Sequence, residues 1–142
     1  MLSQLSIGSA LIATTIVVQV VFSQMAINGL KVYAPKLLMR FGFMAPSILL
    51  TGTTLWLLTA LSIAMWIWAS MLVLLGVFGT IEHALYFSMV AFTTLGFGDV
   101  ILPQEWRLLS GFIAANGLVL FGLNTAFLIE TLRSILEAPQ KR

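Results

Sequence analysis

From Phe41 to Ile81 the chain carries no charged side chain, and Met1 to Leu30 and Leu108 to Ile129 are equally free of charge. In a bilayer core no water is present to bond exposed amides, so such runs fold as helices that satisfy their own backbone. About 20 apolar residues cross the hydrocarbon layer. With 60% of the 142 residues hydrophobic and only 8% charged, an ordinary soluble domain is excluded. The expected class is an all-α membrane protein of a single domain. Cysteine is absent and His83 is the only histidine, so neither a thiolate site nor a histidine cluster is available. No nucleophile–base set is evident, which excludes an enzyme, and nothing calls for a cofactor or a nucleic-acid partner.

Taken in order, residues 1–30 read as a first transmembrane helix that stops at Asn28-Gly29. It lacks the basic leader and small-residue cleavage site of a secretory signal, so it is expected to be retained. Gln19, Gln24 and Asn28 recur along one side of it. They serve either as hydrogen-bonding contacts to neighbouring helices or as mildly polar filler. Residues 31–45 interleave Lys31, Lys36 and Arg40 with Tyr33, Leu37 and Phe41. This basic connector is either a helix in the headgroup layer or a loop with topogenic charges, at the membrane surface in both cases. Pro46 suits the first turn of an outer helix over 46–79, in which only Gly52 and Gly76 offer a break. Trp56, Trp66 and Trp68 read as packing and interface anchors.

A helix over 81–93 is too short to cross, covering about 20 Å, and has the length of a re-entrant segment. Thr80 provides its cap, and Glu82 and His83 its first turn. An inner helix over 105–136 follows, anchored by Trp106 and Arg107, and then a short tail over 137–142. Between the short helix and the inner helix stands Thr93-Thr94-Leu95-Gly96-Phe97-Gly98-Asp99. Glycine takes left-handed backbone angles without steric penalty. A strand of alternating handedness can turn every carbonyl to one side, and four such strands make rings of oxygens that replace a cation's water shell.

TTLGFGD resembles the potassium-channel filter signature, usually written TTVGYGD, and the resemblance runs from about Glu82 to Leu132. Leu95 stands where valine is commonest and Phe97 where tyrosine is commonest. Both side chains are expected to point away from the ion path, and Phe97 lacks the hydroxyl that tethers the filter. Val90 stands where some bacterial relatives carry an acid, so a carboxyl pair behind the filter is ruled out. The resemblance implies a homotetramer conducting K+ passively, with K+ held at Thr94, Leu95, Gly96 and Phe97 and with Gly98 completing the filter. It places Asp99, Glu82 and Glu105 at the filter entrance. Leu118, Phe121 and Thr125 become candidates for the cavity wall. Gly117 falls on the family's hinge position, where a glycine also serves close packing, and both readings stand. Asn124 faces either the cavity or a neighbouring subunit.

Three transmembrane helices plus a re-entrant pore helix and filter loop result, in a fourfold tetrameric pore. Lys31, Lys36, Arg40, Arg133, Lys141 and Arg142 then share one side against Arg107. Basic residues favour the cytoplasmic side, so the N-terminus is expected outside and the C-terminus in the cytoplasm of the cell (inner) membrane. The first helix carries no arginine ladder, and no intrinsic voltage sensor is expected. Two alternatives to a potassium-selective channel remain: a weakly selective cation channel of the same fold, and a non-conducting modulatory membrane subunit.

Overall fold

The structure is a computed structural model that describes residues 2–137. It consists of helices and their connections: α1 (Leu2–Phe41), α2 (Ala45–Leu74), α3 (Ile81–Phe92) and α4 (Arg107–Glu137), with single 3-10 turns at Gly42–Met44 and Gln104–Trp106. The stretches Leu2–Leu74 and Gln104–Ile135 are both long and apolar enough to cross a membrane. Residues 138–142, including Lys141 and Arg142 of the expected tail, lie outside the described residues.

α1 and α2 form an antiparallel hairpin. The Phe22 and Trp56 rings stack at 4.9 Å, and the Trp56 indole N–H donates to the Phe22 carbonyl at 3.0 Å. Its tip corrects one sequence expectation. The basic connector at 31–45 is not a separate segment: α1 continues through Gly29 and Pro35 to Phe41, 40 residues in all. The Asn28-Gly29 stop fails: the helix runs on through Gly29 at a penalty of about 1 kcal/mol, which a 40-residue helix lying along α2 absorbs. The chain turns instead at Gly42, whose φ of +48° is open to glycine.

At its other end α2 stops at Leu74, short of the expected residue 79. Gly76 (φ +70°) takes the left-handed position. Its N–H bonds the Val73 carbonyl at 2.9 Å and the Val77 N–H bonds Leu72 at 3.0 Å, the paired closure of a Schellman end.

α3 sits between α2 and α4. Leu61, Trp68 and Leu72 of α2, Phe87 and Phe92 of α3, and Leu109, Ile113 and Leu120 of α4 make one core. α1 covers the back of it with Ile7, Leu11, Ile12 and Ile16. It runs parallel to α4, since each cross-helix bond joins residues 101 to 105 apart in sequence. Lipid is as apolar as these side chains, so close fit and polar pairs hold the helices together. Both are present. A Cβ on Gly8 would lie 2.6 Å from the Phe112 ring. The buried Gln4 bonds the Glu105 carbonyl and accepts from the Leu108 N–H at 3.2 Å. Further along, the Asn116 side-chain amide donates to the Thr15 hydroxyl at 2.8 Å, and the Gln19 amide donates to Asn124 Oδ1 at 2.5 Å.

Candidate functional site

The end of α3 unwinds over three residues. The Thr94 N–H bonds Ala91 and the Leu95 N–H bonds Val90, both at 3.0 Å, and the Gly96 N–H reaches the same Val90 carbonyl at 3.4 Å. Beyond that the ladder ends. Among the described residues, no carbonyl from Thr93 to Asp99 accepts a backbone hydrogen bond. An unpaired row of carbonyls at membrane depth is tolerated only where it lines water or is buried in protein.

The same row alternates in handedness. Thr94 (φ +59°), Gly96 (φ +58°) and Gly98 (φ +78°) are left-handed, while Leu95 and Phe97 keep negative φ. This is the pattern that permits successive carbonyls to face one side. Thr94 is the feature the sequence did not reveal: a β-branched residue at positive φ is strained and persists only where its surroundings over-determine it. Leu95 and Phe97 are 60% and 67% exposed on the single chain. Beside the row lies an open pocket of about 530 Å³ whose walls include Phe87, Val90, Gly96, Gly98, Arg107 and Ser110.

α3 delivers this segment with its negative dipole end leading. Its start is capped by Thr80, whose hydroxyl accepts from the His83 N–H at 3.4 Å and lies 2.9 Å from His83 Nδ1. Glu82 occupies the first turn and is exposed. A second tether closes the far side: the Tyr86 hydroxyl donates to Asp99 Oδ2 at 2.5 Å. That bond holds the Asp99 carboxyl below the usual carboxylate range, and the Asp99 and Val100 backbone amides assist against partial desolvation. The tether on α3 sits eight residues before Thr94 and anchors the far end of the row, where Phe97 carries no hydroxyl of its own. Glu105, in the turn that opens α4, is exposed as well.

On α4, Leu118, Phe121 and Thr125 lie on one exposed face, and the Phe121 ring meets Phe92 edge-on at 5.9 Å. Gly117 is buried and the helix runs through it unbroken. An added Cβ there would lie 1.9 Å from the Phe92 carbonyl oxygen, so Gly117 lets the end of α3 seat on α4. At Gly111 and Gly122 an added Cβ would meet nothing within 4 Å. Asn124 faces neither a cavity nor a neighbour but α1 of its own chain, through Gln19. Among the described residues, Gln24 and Asn28 bond each other, at 3.4 Å on the surface. The Thr15–Asn116 and Gln4 contacts had no sequence signal, since their partners are about 100 residues away.

The protein-family model described as Ion channel matches residues 56–134, which take in most of α2, all of α3, the 93–99 row and nearly all of α4. This chain belongs to the ion channel family. The pore-module resemblance carried by TTLGFGD is borne out, and the protein is a channel rather than an enzyme. No curated protein and no solved structure matches the chain. The channel match begins at Trp56, so α1 and the tip of its hairpin lie outside it.

Proposed function

We propose that the protein is the subunit of a homotetrameric, potassium-selective channel. The single observation that carries this reading is the row from Thr94 to Gly98, with alternating handedness and no carbonyl engaged. One chain supplies one strand of such a filter, so four are needed to encircle an ion. The carbonyls of Thr94, Leu95, Gly96 and Phe97 then hold successive potassium ions, with the Thr94 hydroxyl at the inner end. Leu95 and Phe97, exposed on one chain, pack against the neighbouring subunit.

Three crossings per chain, by α1, α2 and α4, put Lys31, Lys36, Arg40 and Arg133 at one end of the bundle and Arg107 at the other. By the positive-inside tendency the first end is cytoplasmic, which leaves the filter opening outward past Asp99, Glu82 and Glu105. Leu118, Phe121 and Thr125 line the cavity below it. A weakly selective cation channel draws support from one observation, the open pocket beside Gly96 and Gly98, which leaves their backbone room to yield.

Flux from liposomes decides between the two. Potassium is expected to leave well ahead of sodium and to be blocked by barium, an ion of similar size. Equal passage of both alkali ions would establish the weakly selective channel instead. No flux of either ion from reconstituted tetramers would defeat both.

A further inference from the structure

The tip of the α1–α2 hairpin, which lies ahead of the channel match, has a feature of its own. Between α1 and α2, toward the tip, lies an apolar groove of about 460 Å³ walled by Met25, Leu30, Tyr33, Ile48, Thr53 and Trp56. Gly29 and Gly52 face it from the two helices, and a Cβ on either would meet nothing within 4 Å. The gap is therefore real space left by two facing glycines.

Charge and exposure at the groove's end identify what fills it. Leu37 also lines the groove, and Lys36 and Arg40 flank it on the same helix. Seven residues are two turns, so Arg40 stands within about 20° of Tyr33 around α1. The Arg40 guanidinium lies 5.4 Å from the centre of the Phe41 ring. Around it Met39, Phe43 and Met44 are exposed, Phe43 by 99%. Apolar side chains exposed beside basic ones mark a turn immersed at the headgroup boundary. No acidic residue precedes Glu82, and the ion pair found among the described residues, Arg133 with Glu130 at 3.9 Å, lies on α4. Lys36 and Arg40 thus present positive charge with no carboxylate on their own hairpin.

We propose that this groove binds an anionic phospholipid, its phosphate on Lys36 and Arg40 and one acyl chain laid along Gly29 and Gly52. A second copy of this hairpin offers Lys36 and Arg40 no carboxylate, since no acidic residue precedes Glu82, whereas a lipid phosphate supplies the anion and its acyl chain the apolar filling. Clustered basic residues beside a transmembrane helix favour anionic over zwitterionic headgroups. The proposal is independent of ion selectivity, and its test reads no current.

The full-length protein is reconstituted into nanodiscs of equal phosphatidylglycerol and phosphatidylcholine with the same acyl chains. Retained lipid is then read by native mass spectrometry. The expected result is retained phosphatidylglycerol in roughly tenfold preference. The double variant Lys36→Gln/Arg40→Gln is expected to bring the two lipids near parity, while Lys31→Gln, on the α4 side of α1, leaves the preference in place. Gly52→Leu fills the groove with a better helix former and is expected to lose bound lipid of both kinds with no fall in melting temperature. Preference that survives the double variant overturns the proposal, as does a Gly52→Leu protein that keeps its lipid. A change of oligomer mass in Gly52→Leu would assign the groove to a second copy and overturn it equally.

Discussion

Thr94 holds a left-handed backbone that a β-branched residue rarely enters. Gly96 and Gly98 were legible as the positions where the chain would bend that way; Thr94 was not, because its residue type argues for extended backbone. The cost of misplacing a side chain here is direct. Alanine at position 96 would enter the same region at about 1–2 kcal/mol per chain, and in a tetramer all four chains bear it. Gly96→Ala channels are expected to assemble and pass no potassium in a liposome flux assay; wild-type flux from them would remove this row from the ion path. The tether beside it titrates. A carboxyl whose folded pKa is lowered contributes stability above its unfolded value, near 3.9, and loses it as pH falls through the folded value. Tyr86 is the largest cause of the lowering, so Tyr86→Phe is expected to raise the Asp99 midpoint, with the Asp99 and Val100 amides keeping part of the shift. Asp99 is the only aspartate in the chain, and ¹³C-aspartate labelling follows it as one NMR signal.

Among the elements, the apolar runs gave their helical type, and the breaks between them came from local backbone chemistry. Gly76 and Gly42 end helices because each takes positive φ with a chain that turns away, whereas Gly29 and Pro35 lie within α1. Residue type alone does not separate them: Gly42 and Gly76 take positive φ and Gly29 does not. Gly117 depends on a distant neighbour instead: its need for hydrogen in place of a methyl comes from the Phe92 carbonyl. Gly117→Ala is expected to destabilise by about 1–3 kcal/mol, the usual range for overpacking, while Gly111→Ala and Gly122→Ala leave the single chain's fold intact. Thermal unfolding in detergent separates the three. The α1–α4 contact has its own test. A double-mutant cycle of Gln19→Ala and Asn124→Ala should return a coupling of about 0.6 to 1.7 kcal/mol, and additive losses would mean that the two amides do not cooperate.

For the whole molecule, the assembled species is expected at four times 15.5 kDa by native mass spectrometry. A monomer or dimer persisting in lipid would remove the basis for a fourfold pore. Sidedness is testable because no native cysteine interferes. Cysteines at Ser3 and Phe43, at opposite ends of α1, should react with an impermeant reagent from opposite faces of a vesicle. The polar contacts from Gln4, Thr15 and Gln19 also impose a sequence in time. During synthesis the α1–α2 hairpin, which ends at Leu74, is complete about forty to fifty residues before Asn116 and Asn124 are added. Until then its glutamines and threonine have no partner in α4, and an unmatched polar group in hydrocarbon is costly. The arrival of α4 removes that penalty and, in the same step, closes the chain around α3 and the row from Thr93 to Asp99. A newborn subunit therefore completes the seat of that row only when its first and last helices meet.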